Sequence, residues 1–275
     1  MKYSTVACSK IGLREIQQDR FCYFQVDEKL VMAITDGNGG NGGGNLAEET
    51  IKTIVFKAFV ELSQYKGNEE MTKEQIEALG ANALNKAAVH ALSINKSHDD
   101  WSKAGTTATL IIAVSNYVSC FWIGDSPAYL YQEGEGLIKL TDPVHTLAEV
   151  LIKDGGSREI LDNQPSLNSI LTECVGQDSY KLDSKIVKIT KPSIVVVGSD
   201  GVLDYFSEAE LTSILEVGLS NPSDLQALTD DLVQKSLDKG SDDNVTVVAS
   251  LILPKGINKE QCLSSITRRI TKLCN

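Results

Sequence analysis

One stretch of the sequence, residues 30–44, constrains the fold more than any other. It reads LVMAITDGNGGNGGG, so an apolar run ends in Thr35 and Asp36 and then in a glycine-rich turn. A continuous apolar run bounded by turn residues is typical of a buried strand. Glycine-rich backbone can pass close to another group, because no side chain intervenes. The stretch therefore predicts a buried strand that places the carboxylate of Asp36 at its end.

Length and composition indicate a globular chain of one large domain or two small ones. The chain has 275 residues, of which 42% are hydrophobic and 23% are charged, as is ordinary for a globular protein. No apolar run reaches the ~18 residues that a membrane-spanning helix needs. The N-terminus also lacks the apolar core of a secretory leader. We therefore expect a cytoplasmic protein without a membrane partner.

The net charge excludes one class of partner. The chain carries a net charge of −11 and has no stripe of Lys and Arg residues. Proteins bind nucleic acids largely by neutralising phosphates with Lys and Arg, which releases counterions. An acidic surface without clustered Lys and Arg cannot do this, so we expect no nucleic-acid partner. The acidic balance fits either an ordinary acidic surface or a cluster of carboxylates that binds cations, and composition leaves both open.

The cysteines fit a reducing compartment. There are six of them, and no two form a C-x-x-C pair, which argues against a zinc knuckle or a thioredoxin-like motif. Several lie inside apolar, strand-like runs. We expect reduced, buried thiols rather than disulfides.

Hydrophobic periodicity predicts an α+β fold. Strands are predicted over 3–9, 21–26, 30–36, 107–114, 117–123, 128–132, 182–189, 193–198 and 245–253, the three from 107 to 132 as an antiparallel meander. Helices are predicted over 46–65, from a capping box at Thr72 and Gln75 to about 95, and over 144–153, 207–217, 223–238 and 259–274. Residues 156–170 are polar and read as a surface flap. Because strand runs and helix pairs are segregated, we expect antiparallel sheets with helices outside, in one domain.

Five aspartates share a position at the end or start of a strand. Asp36, Asp125 and Asp200 each follow an apolar run and stand beside a glycine, whereas Asp19 and Asp243 each precede a strand. A single Asp-Gly pair is best read as a turn that caps backbone N–H groups. Five such aspartates together favour convergence on one site.

Converging carboxylates need cations. Two unpaired carboxylates about 4 Å apart repel by roughly 4 kcal/mol at an effective dielectric of about 20. An all-oxygen ligand set without histidine or cysteine suits Mg²⁺ or Mn²⁺. Two such ions can activate a water for in-line displacement at phosphorus. Arg14, five residues before Asp19, offers a guanidinium that can bind a phosphate in a bidentate way, although an ordinary surface arginine fits the spacing equally well.

The glycine-rich turn also contains G-x-G-x-x-G, at Gly37, Gly39 and Gly42. This pattern is the dinucleotide-binding fingerprint, which raises the alternative of a nucleotide-dependent oxidoreductase. Asp36 directly before the turn would repel a pyrophosphate, and helix rather than an acid-ending strand follows. No lysine follows the glycines, so a P-loop is excluded. We therefore discount nucleotide binding here.

Eight segments in a fixed order resemble the metal-dependent type-2C protein phosphatases. The segments are REIQQD (14–19), ITDGNGG (34–40), GTTAT (105–109), IGDSPAYLY (123–131), LTDPVHT (140–146), LTECVG (171–176), VVGSDGVLD (196–204) and SDDNVTVV (241–248). The resemblance covers about residues 1–253. It implies a four-layer sandwich, with two antiparallel β-sheets flanked by helices, as a catalytic domain over 1–253. Residues 254–275 would form a C-terminal helical extension.

The resemblance also implies an activity and a set of residue roles. The activity is hydrolysis of phosphoserine and phosphothreonine on proteins by a metal-activated water at a site with two Mn²⁺ or Mg²⁺ ions. Asp36 is similar to the bridging ligand of both ions, the carbonyl of Gly37 to a ligand of one, and Asp200 and Asp243 to ligands of the other. Asp19 is similar to a ligand or a water-mediated partner. Two further roles are a third-ion site at Asp125 with Asp200, and a phosphate clamp at Arg14.

The sequence departs from the family pattern at four positions. Asn38 stands where animal members have a histidine thought to protonate the leaving group and where bacterial members often have methionine. Asn41 replaces a histidine common in bacterial members, Pro127 replaces an arginine, and Gln18 replaces a glutamate of animal members. The general acid is therefore unassigned, with Asn38 as a hydrogen-bond donor one candidate.

Two functions from different classes follow. The first is a bacterial-type Ser/Thr protein phosphatase that acts on a phosphorylated protein and opposes a Ser/Thr kinase. The second, suggested by the departures, is a phosphatase-like binding or regulatory module with little activity. The intact aspartates favour the first. The C-terminal segment 259–274 places Leu263, Ile266, Ile270 and Leu273 on one helical face, for packing on the core or for docking a partner.

Overall fold

The β-branched and apolar runs of the chain form two antiparallel sheets in a computed structural model, which describes residues 1–40, 42–67, 69–101, 103–157 and 163–255. The strands of these described ranges are β1 Lys2–Lys10, β2 Asp19–Val26, β3 Lys29–Asn38, β4 Gly105–Thr106, β5 Ala108–Val114, β6 Tyr117–Ile123, β7 Ala128–Gln132, β8 Gly136–Lys139, β9 Asp183–Lys188, β10 Ser193–Gly198 and β11 Val245–Leu253. One sheet has the order β1-β11-β10-β7-β8. The other has the order β2-β3-β5-β6-β9, with β4 paired to the end of β3.

Helices cover the outer face of each sheet. The helices of the described ranges are α1 Gly43–Leu62, α2 Lys73–Asn95, α3 Leu147–Lys153, α4 Asp200–Leu203, α5 Glu208–Ser220 and α6 Leu225–Asp238. Of these, α1 and α2 cover one sheet, and α5 and α6 cover the other. Short 3₁₀ turns lie at Asp99–Trp101, Pro165–Ser169 and Pro222–Asp224. The predicted capping box is present at the start of α2, where the Thr72 hydroxyl accepts from the Gln75 N–H and the Gln75 side chain accepts from the Thr72 N–H.

Three apolar layers hold the elements together. Alternate residues of β3 face opposite ways, so Met32 and Ile34 enter the layer between the sheets while Val31 and Ala33 pack under α1 and α2. A third layer joins β10 and β11 to α5 and α6. Burial on both faces explains why residues 30–34 are continuously apolar. The α+β prediction of a four-layer sandwich is therefore confirmed.

The predicted meander over 107–132 is wrong at its third strand. β5 and β6 pair with each other, but β7 lies in the opposite sheet, between β10 and β8. The intervening residues 124–127 cross between the sheets. Gly124 has a φ of +104°, and the Ser126 hydroxyl bonds to that of Thr107 at 2.6 Å. These side-chain contacts fix the crossover, and hydrophobic periodicity does not register them.

Other boundaries differ because local pairing overrides the apolar pattern. β3 continues past Asp36 to Asn38, since Gly37 and Asn38 pair with β4. Asp36 therefore lies within the strand rather than at its last residue. α1 begins at Gly43, inside the glycine run, and α3 begins at Leu147 after an N-cap at Thr146. β8 occupies residues predicted as turn and flanking coil.

Three other expectations concern the surface and the end of the chain. In the part of the chain that the structure describes, no helix is long and apolar enough to cross a membrane. Within the same residues Cys8, Cys22, Cys120 and Cys174 are free thiols. The predicted helix over 259–274 and most of the extension over 254–275 lie outside the described residues, as does Asn41, so the domain division at 253 stays a prediction.

Helix α2 approaches β6 so closely that only glycine fits at one position. A Cβ added to Gly80 would lie 2.1 Å from the ring of Phe121. We expect Gly80→Ala to lower the free energy of unfolding by about 1–3 kcal/mol, because overpacking outweighs the roughly 1 kcal/mol by which alanine improves helix propensity. Urea denaturation measures the change. Adding Phe121→Leu makes room, so the double variant should lose less than the sum of the two single changes; additive losses would contradict the contact.

Candidate active site

The strand ends bring the predicted aspartates to one side of the sandwich. The first residue of β2, Asp19, is the register partner of Asp36 in β3. Asp200 opens α4 directly after β10, and Asp243 stands two residues before β11. The two sheets therefore contribute two carboxylates each. Asp125, in the crossover between the sheets, is the fifth.

A cleft of about 980 Å³ exposes most of these groups. Its lining includes the predicted site residues Arg14, Asp36, Gly37, Asn38, Asp125, Asp200 and Asp243, together with Gln18. Asp19 is buried, with 3% of its surface exposed, and is not part of this lining. The structure thus gathers the residues that the sequence proposed for metal and phosphate.

Asp36 is mounted rigidly. Its N–H donates to the Thr107 hydroxyl at 3.0 Å, and its carbonyl accepts from the Thr107 N–H at 2.8 Å and from the Thr106 hydroxyl at 2.9 Å. On the other side the Gly37 N–H donates to the Gln18 carbonyl at 3.3 Å. Backbone on both flanks therefore fixes where the Asp36 side chain emerges.

Gly37 must be glycine for reasons of packing within the chain. A Cβ on Gly37 would lie 2.5 Å from the Gly43 carbonyl oxygen, at the first turn of α1. Gly39 combines a φ of +78° with a Cβ position 1.8 Å from the Lys103 carbonyl oxygen. The glycine-rich turn is thus compressed between α1 and the segment before β4, and this packing explains its composition without a nucleotide.

Burial and mutual repulsion raise the pKa values of the carboxyl groups. Burial raises the pKa of Asp36 well above its usual range, and the charges of the other four aspartates raise it further. Burial raises the pKa of Asp19 to about 6, against the opposing effect of hydrogen bonds from the Thr246 and Ser199 hydroxyls. Burial and the charge of Asp243 likewise raise the pKa of Asp200, against the opposing effect of a hydrogen bond from the Gly201 N–H. Ionising these carboxyl groups together is therefore unfavourable when no cation is bound.

The donor chemistry of the cluster fits a hard divalent cation. One oxygen of Asp19, Oδ1, is buried without a hydrogen-bond partner, while Oδ2 accepts from the Ser199 hydroxyl at 2.9 Å. All the candidate donors are oxygens, which suit Mg²⁺ or Mn²⁺. Across the described ranges, no three His, Cys, Asp or Glu side chains form a preformed metal site. The fit thus rests on the buried charge and the unpaired oxygen.

Arg14 lies among the acidic groups. Its Nη2 donates to Asp243 Oδ2 at 3.0 Å, and its Nε donates to the Asp242 carbonyl at 3.0 Å. The side chain is about half exposed and lines the cleft. A guanidinium that lines a cleft beside carboxylates is placed where it can turn toward an incoming anion.

Asn38 lies at the end of β3 and lines the same cleft. Its Nδ2 is buried and makes no hydrogen bond, and its Oδ1 lies about 3.0 Å from the position that a Cβ on Gly105 would occupy. A buried amide donor without an acceptor costs roughly 1–3 kcal/mol. An acceptor in the cleft would remove that cost, and a substrate oxygen has the required chemistry.

Sequence reasoning missed two residues of this region. Asp204 lines the cleft, and its charge, after burial and the charge of Asp200, raises the pKa of Asp125. Surrounding protein and the charge of Asp200 raise the pKa of Asp204 itself to about 6. Asp204 follows Asp200 by four, a spacing that places two residues on one helix face, but the sequence pattern predicts no helix before residue 207.

The second missed residue is His145, which is buried with 5% of its surface exposed. Its Nδ1 accepts from the Gly124 N–H at 3.0 Å, and its Nε2 lies 3.1 Å from Asp183 Oδ2. His145 therefore ties the turn that carries Asp125 to strand β9. A single histidine in a polar segment gives no sequence signal for such a contact.

With the geometry in place, comparison with known proteins identifies the family. The sequence model described as protein phosphatase 2C matches residues 9–239, most of the chain. The chain belongs to the protein phosphatase 2C family. Its relatives include the serine/threonine phosphatase stp of Listeria innocua, 26% identical over 223 residues that make up 81% of this chain and 84% of the relative. The protein phosphatase PhpP of Streptococcus pneumoniae is 27% identical over 223 residues, or 80% of this chain and 84% of that protein.

Solved structures share the fold. The S. agalactiae serine/threonine phosphatase superposes with a TM-score of 0.76 at 22% identity, over 90% of this chain and 99% of that one. The catalytic domain of the phosphatase PstP, in a structure with two manganese ions, has a TM-score of 0.67 at 21% identity, over 91% of this chain and 99% of that one. The resemblance stated from the sequence is confirmed at the level of family and fold.

The raised pKa of Asp19 predicts a pH dependence of stability in protein freed of metal by EDTA. The folded state holds this proton more tightly than the unfolded chain, whose pKa is about 3.9. The stabilising contribution is therefore complete below about pH 4 and is lost as the pH rises through about 6. We expect wild type to lose unfolding free energy relative to Asp19→Asn across this window, by about 1.4 kcal/mol for each pKa unit.

Urea denaturation in EDTA at several pH values between 4 and 8 measures the difference. Asp100→Asn, at an exposed site, is the control and should follow wild type. Adding Mn²⁺ or Mg²⁺ above pH 6 should recover stability in wild type. A constant difference between wild type and Asp19→Asn across the window would contradict the buried charge.

Proposed function

We propose that this chain hydrolyses phosphoserine and phosphothreonine on proteins with the help of two divalent ions, Mn²⁺ or Mg²⁺. The observation that carries the proposal is a cleft lined by Arg14 and by four of the five predicted aspartates, with the fifth, Asp19, buried opposite Asp36 on the neighbouring strand. Membership of the protein phosphatase 2C family supports the reaction class. The two manganese ions in the PstP structure support the choice of cofactor.

The residues fit an assignment of two ion positions. Asp36 would bridge both ions, the Gly37 carbonyl would serve one, and Asp200 and Asp243 would serve the other. Asp19 is the register partner of Asp36 and would contribute its unpaired Oδ1 directly or through water. Asp125, Asp200 and the newly found Asp204 would make a third position. When bound, the ions supply a nucleophile at neutral pH by lowering the pKa of water, and they neutralise charge on the phosphoryl group.

The protein's own groups bind and orient the phosphate. Arg14 would release Asp243 and donate to two phosphate oxygens, a bidentate contact that fixes the phosphorus position. Asn38 would donate its unpaired Nδ2–H to the oxygen of the departing serine or threonine. An amide cannot transfer that proton, so the donor stabilises charge on the leaving oxygen without acting as an acid.

The cleft supports a protein substrate rather than a small one. Beyond the aspartates its lining includes Tyr205 and Phe206, and also Asn168 and Ser169 of the segment predicted as a flap. Such a length of surface can contact residues on both sides of a phosphorylated side chain. We infer a phosphorylated protein as substrate, an opposing Ser/Thr kinase as functional partner, and a cytoplasmic location.

Metal-dependent turnover is the direct test. We expect hydrolysis of p-nitrophenyl phosphate and of a phosphothreonine peptide to disappear in EDTA and to return with Mn²⁺ or Mg²⁺. Asp36→Asn should lower kcat by at least about 100-fold, since the ions contribute several kcal/mol to the transition state. Asp154→Asn, an exposed carboxylate change, should keep the wild-type rate. Absence of metal-dependent turnover, or a normal rate in Asp36→Asn, would refute the proposal.

The role of Asn38 predicts a dependence on the leaving group. Asn38→Ala should lower kcat about tenfold on the phosphothreonine peptide, since one hydrogen bond of about 1.4 kcal/mol is worth that factor. The same change should hardly affect p-nitrophenyl phosphate, whose leaving oxygen needs little stabilisation. Asn168→Ala, another amide that lines the cleft, is the control and should affect both substrates alike. Equal losses on the two substrates in Asn38→Ala would contradict the role.

A further inference from the structure

The segment that carries Arg14 is not held by burial. We call residues 11–18, between β1 and β2, the Arg14 loop. Its apolar side chains face solvent, with Leu13 78% exposed, Ile16 65% and Ile11 43%. A loop whose apolar groups are in water needs polar contacts to keep one conformation.

One buried side chain hydrogen-bonds the backbone of the Arg14 loop at three residues. Asn244, with 4% of its surface exposed, donates from Nδ2 to the Ile11 carbonyl at 2.8 Å and to the Ile16 carbonyl at 3.0 Å. Its Oδ1 accepts from the Gln18 N–H at 2.7 Å. The amide thus binds the first residue, a late residue and the last residue of the Arg14 loop, and both of its donors are used on the loop backbone.

The neighbouring backbone completes the seat. Gly12 has a φ of +63°, and a Cβ there would lie 1.9 Å from the Asp243 carbonyl oxygen, so the loop lies directly against residue 243. The Asn244 N–H donates to Asp243 Oδ1 at 2.7 Å, while Arg14 holds Oδ2 of the same carboxylate. Asn244 therefore fixes both the loop backbone and the group that Arg14 contacts.

Other contacts reach the loop mainly at its last two residues. Gln17 donates to the Ser9 hydroxyl at 3.0 Å, and Gln18 donates to the Gly40 carbonyl at 3.2 Å. These bonds anchor the end that enters β2. They leave the backbone from Ile11 to Ile16 dependent on Asn244 and on the arginine itself.

We propose that Asn244 is a positioning residue that holds the Arg14 guanidinium at the phosphate site; the inference rests on the proposed role of Arg14 in binding phosphate. A displacement of about 1 Å in such a group can cost about a hundredfold in rate. Asparagine suits the position because it offers two donors and an acceptor in one plane, whereas aspartate offers no donor. Without the Asn244 amide, Arg14 is still present but is no longer held at the phosphate site.

The kinetic test is a double-mutant cycle on a phosphothreonine peptide with Mn²⁺. Asn244→Ala and Asn244→Asp should raise KM by at least about tenfold, with a smaller change in kcat, because two donated hydrogen bonds are lost. In the Asn244→Ala background, Arg14→Ala should raise KM by less than about a further twofold, because the displaced guanidinium already contributes little to phosphate binding. Effects that multiply in the double variant would overturn the proposal.

The control is a second buried asparagine that bridges backbone carbonyls. Asn95 is 7% exposed and donates to the Ala104 and Gly176 carbonyls at 3.1 and 2.9 Å, outside the Arg14 loop. Asn95→Ala should lose stability in thermal unfolding as Asn244→Ala does. In the kinetic cycle, however, the effects of Asn95→Ala and Arg14→Ala on KM should multiply. This outcome distinguishes a positioning role from a general loss of stability.

Trypsin provides a readout that requires no activity. Cleavage after Arg14 in the full-length chain without substrate, followed by mass spectrometry, reports how often the Arg14 loop opens. Cleavage after Lys29, which is 1% exposed, reports global opening in the same sample. We expect Asn244→Ala to speed cleavage after Arg14 by at least about tenfold relative to Lys29, and Asn95→Ala to leave that ratio unchanged.

The two readouts separate the two proposals. If wild type hydrolyses no phosphopeptide, the proposed function fails, and the trypsin ratio still decides whether Asn244 holds the loop. If wild type is active but Asn244→Ala leaves both the trypsin ratio and KM unchanged, the positioning role of Asn244 is wrong and the phosphatase function stands.

Discussion

Repulsion among buried carboxylates is the constraint on which this structure depends. Asp19 and Asp36 come from one sheet, Asp200 and Asp243 from the other, and burial together with mutual repulsion raises the pKa values of the first three. Mutual repulsion would separate these carboxylates if the surrounding protein did not hold them in place. The apolar layer between the sheets supplies that resistance, because separating the carboxylates means exposing side chains such as Met32 and Trp122. Stability elsewhere in the sandwich thus offsets charge stored at its edge, as is common at functional sites.

Much of the site could be predicted because each aspartate is tied to a strand boundary, and apolar runs reveal such boundaries well. The run at 30–34 located Asp36, and the runs before Asp125 and Asp200 located the others. The four-layer arrangement followed from segregated strands and paired helices together with the family resemblance. These features depend on hydrophobic period, which is a local property and therefore visible in one sequence.

The crossover between the sheets, the end of β3 and the role of Asn244 could not be predicted, because each depends on contacts between residues that are distant in sequence. Exchange of the chain between sheets at 124–127 depends on contacts of Ser126 with Thr107 and of His145 with Gly124, which are distant in sequence. The extension of β3 through Asn38 required a partner at 105–106. Asn244, read from the sequence only as part of a motif, is defined by what its amide touches across more than two hundred residues. Local patterns carry no record of such pairings.

The order of the strands along the chain determines when the cleft can form during synthesis. The first strand, β1, pairs with the last described strand, β11, and Asp243 and Asn244 stand directly before that last strand. A growing chain presents Arg14, Asp19 and Asp36 more than two hundred residues before it presents Asp243 and Asn244. Until then the group of aspartates is incomplete, and Arg14 lacks the carboxylate of Asp243 that it contacts. The topology thus delays completion of the cleft until residues 243–244 have been made, so that a partly synthesised sandwich presents no finished cleft.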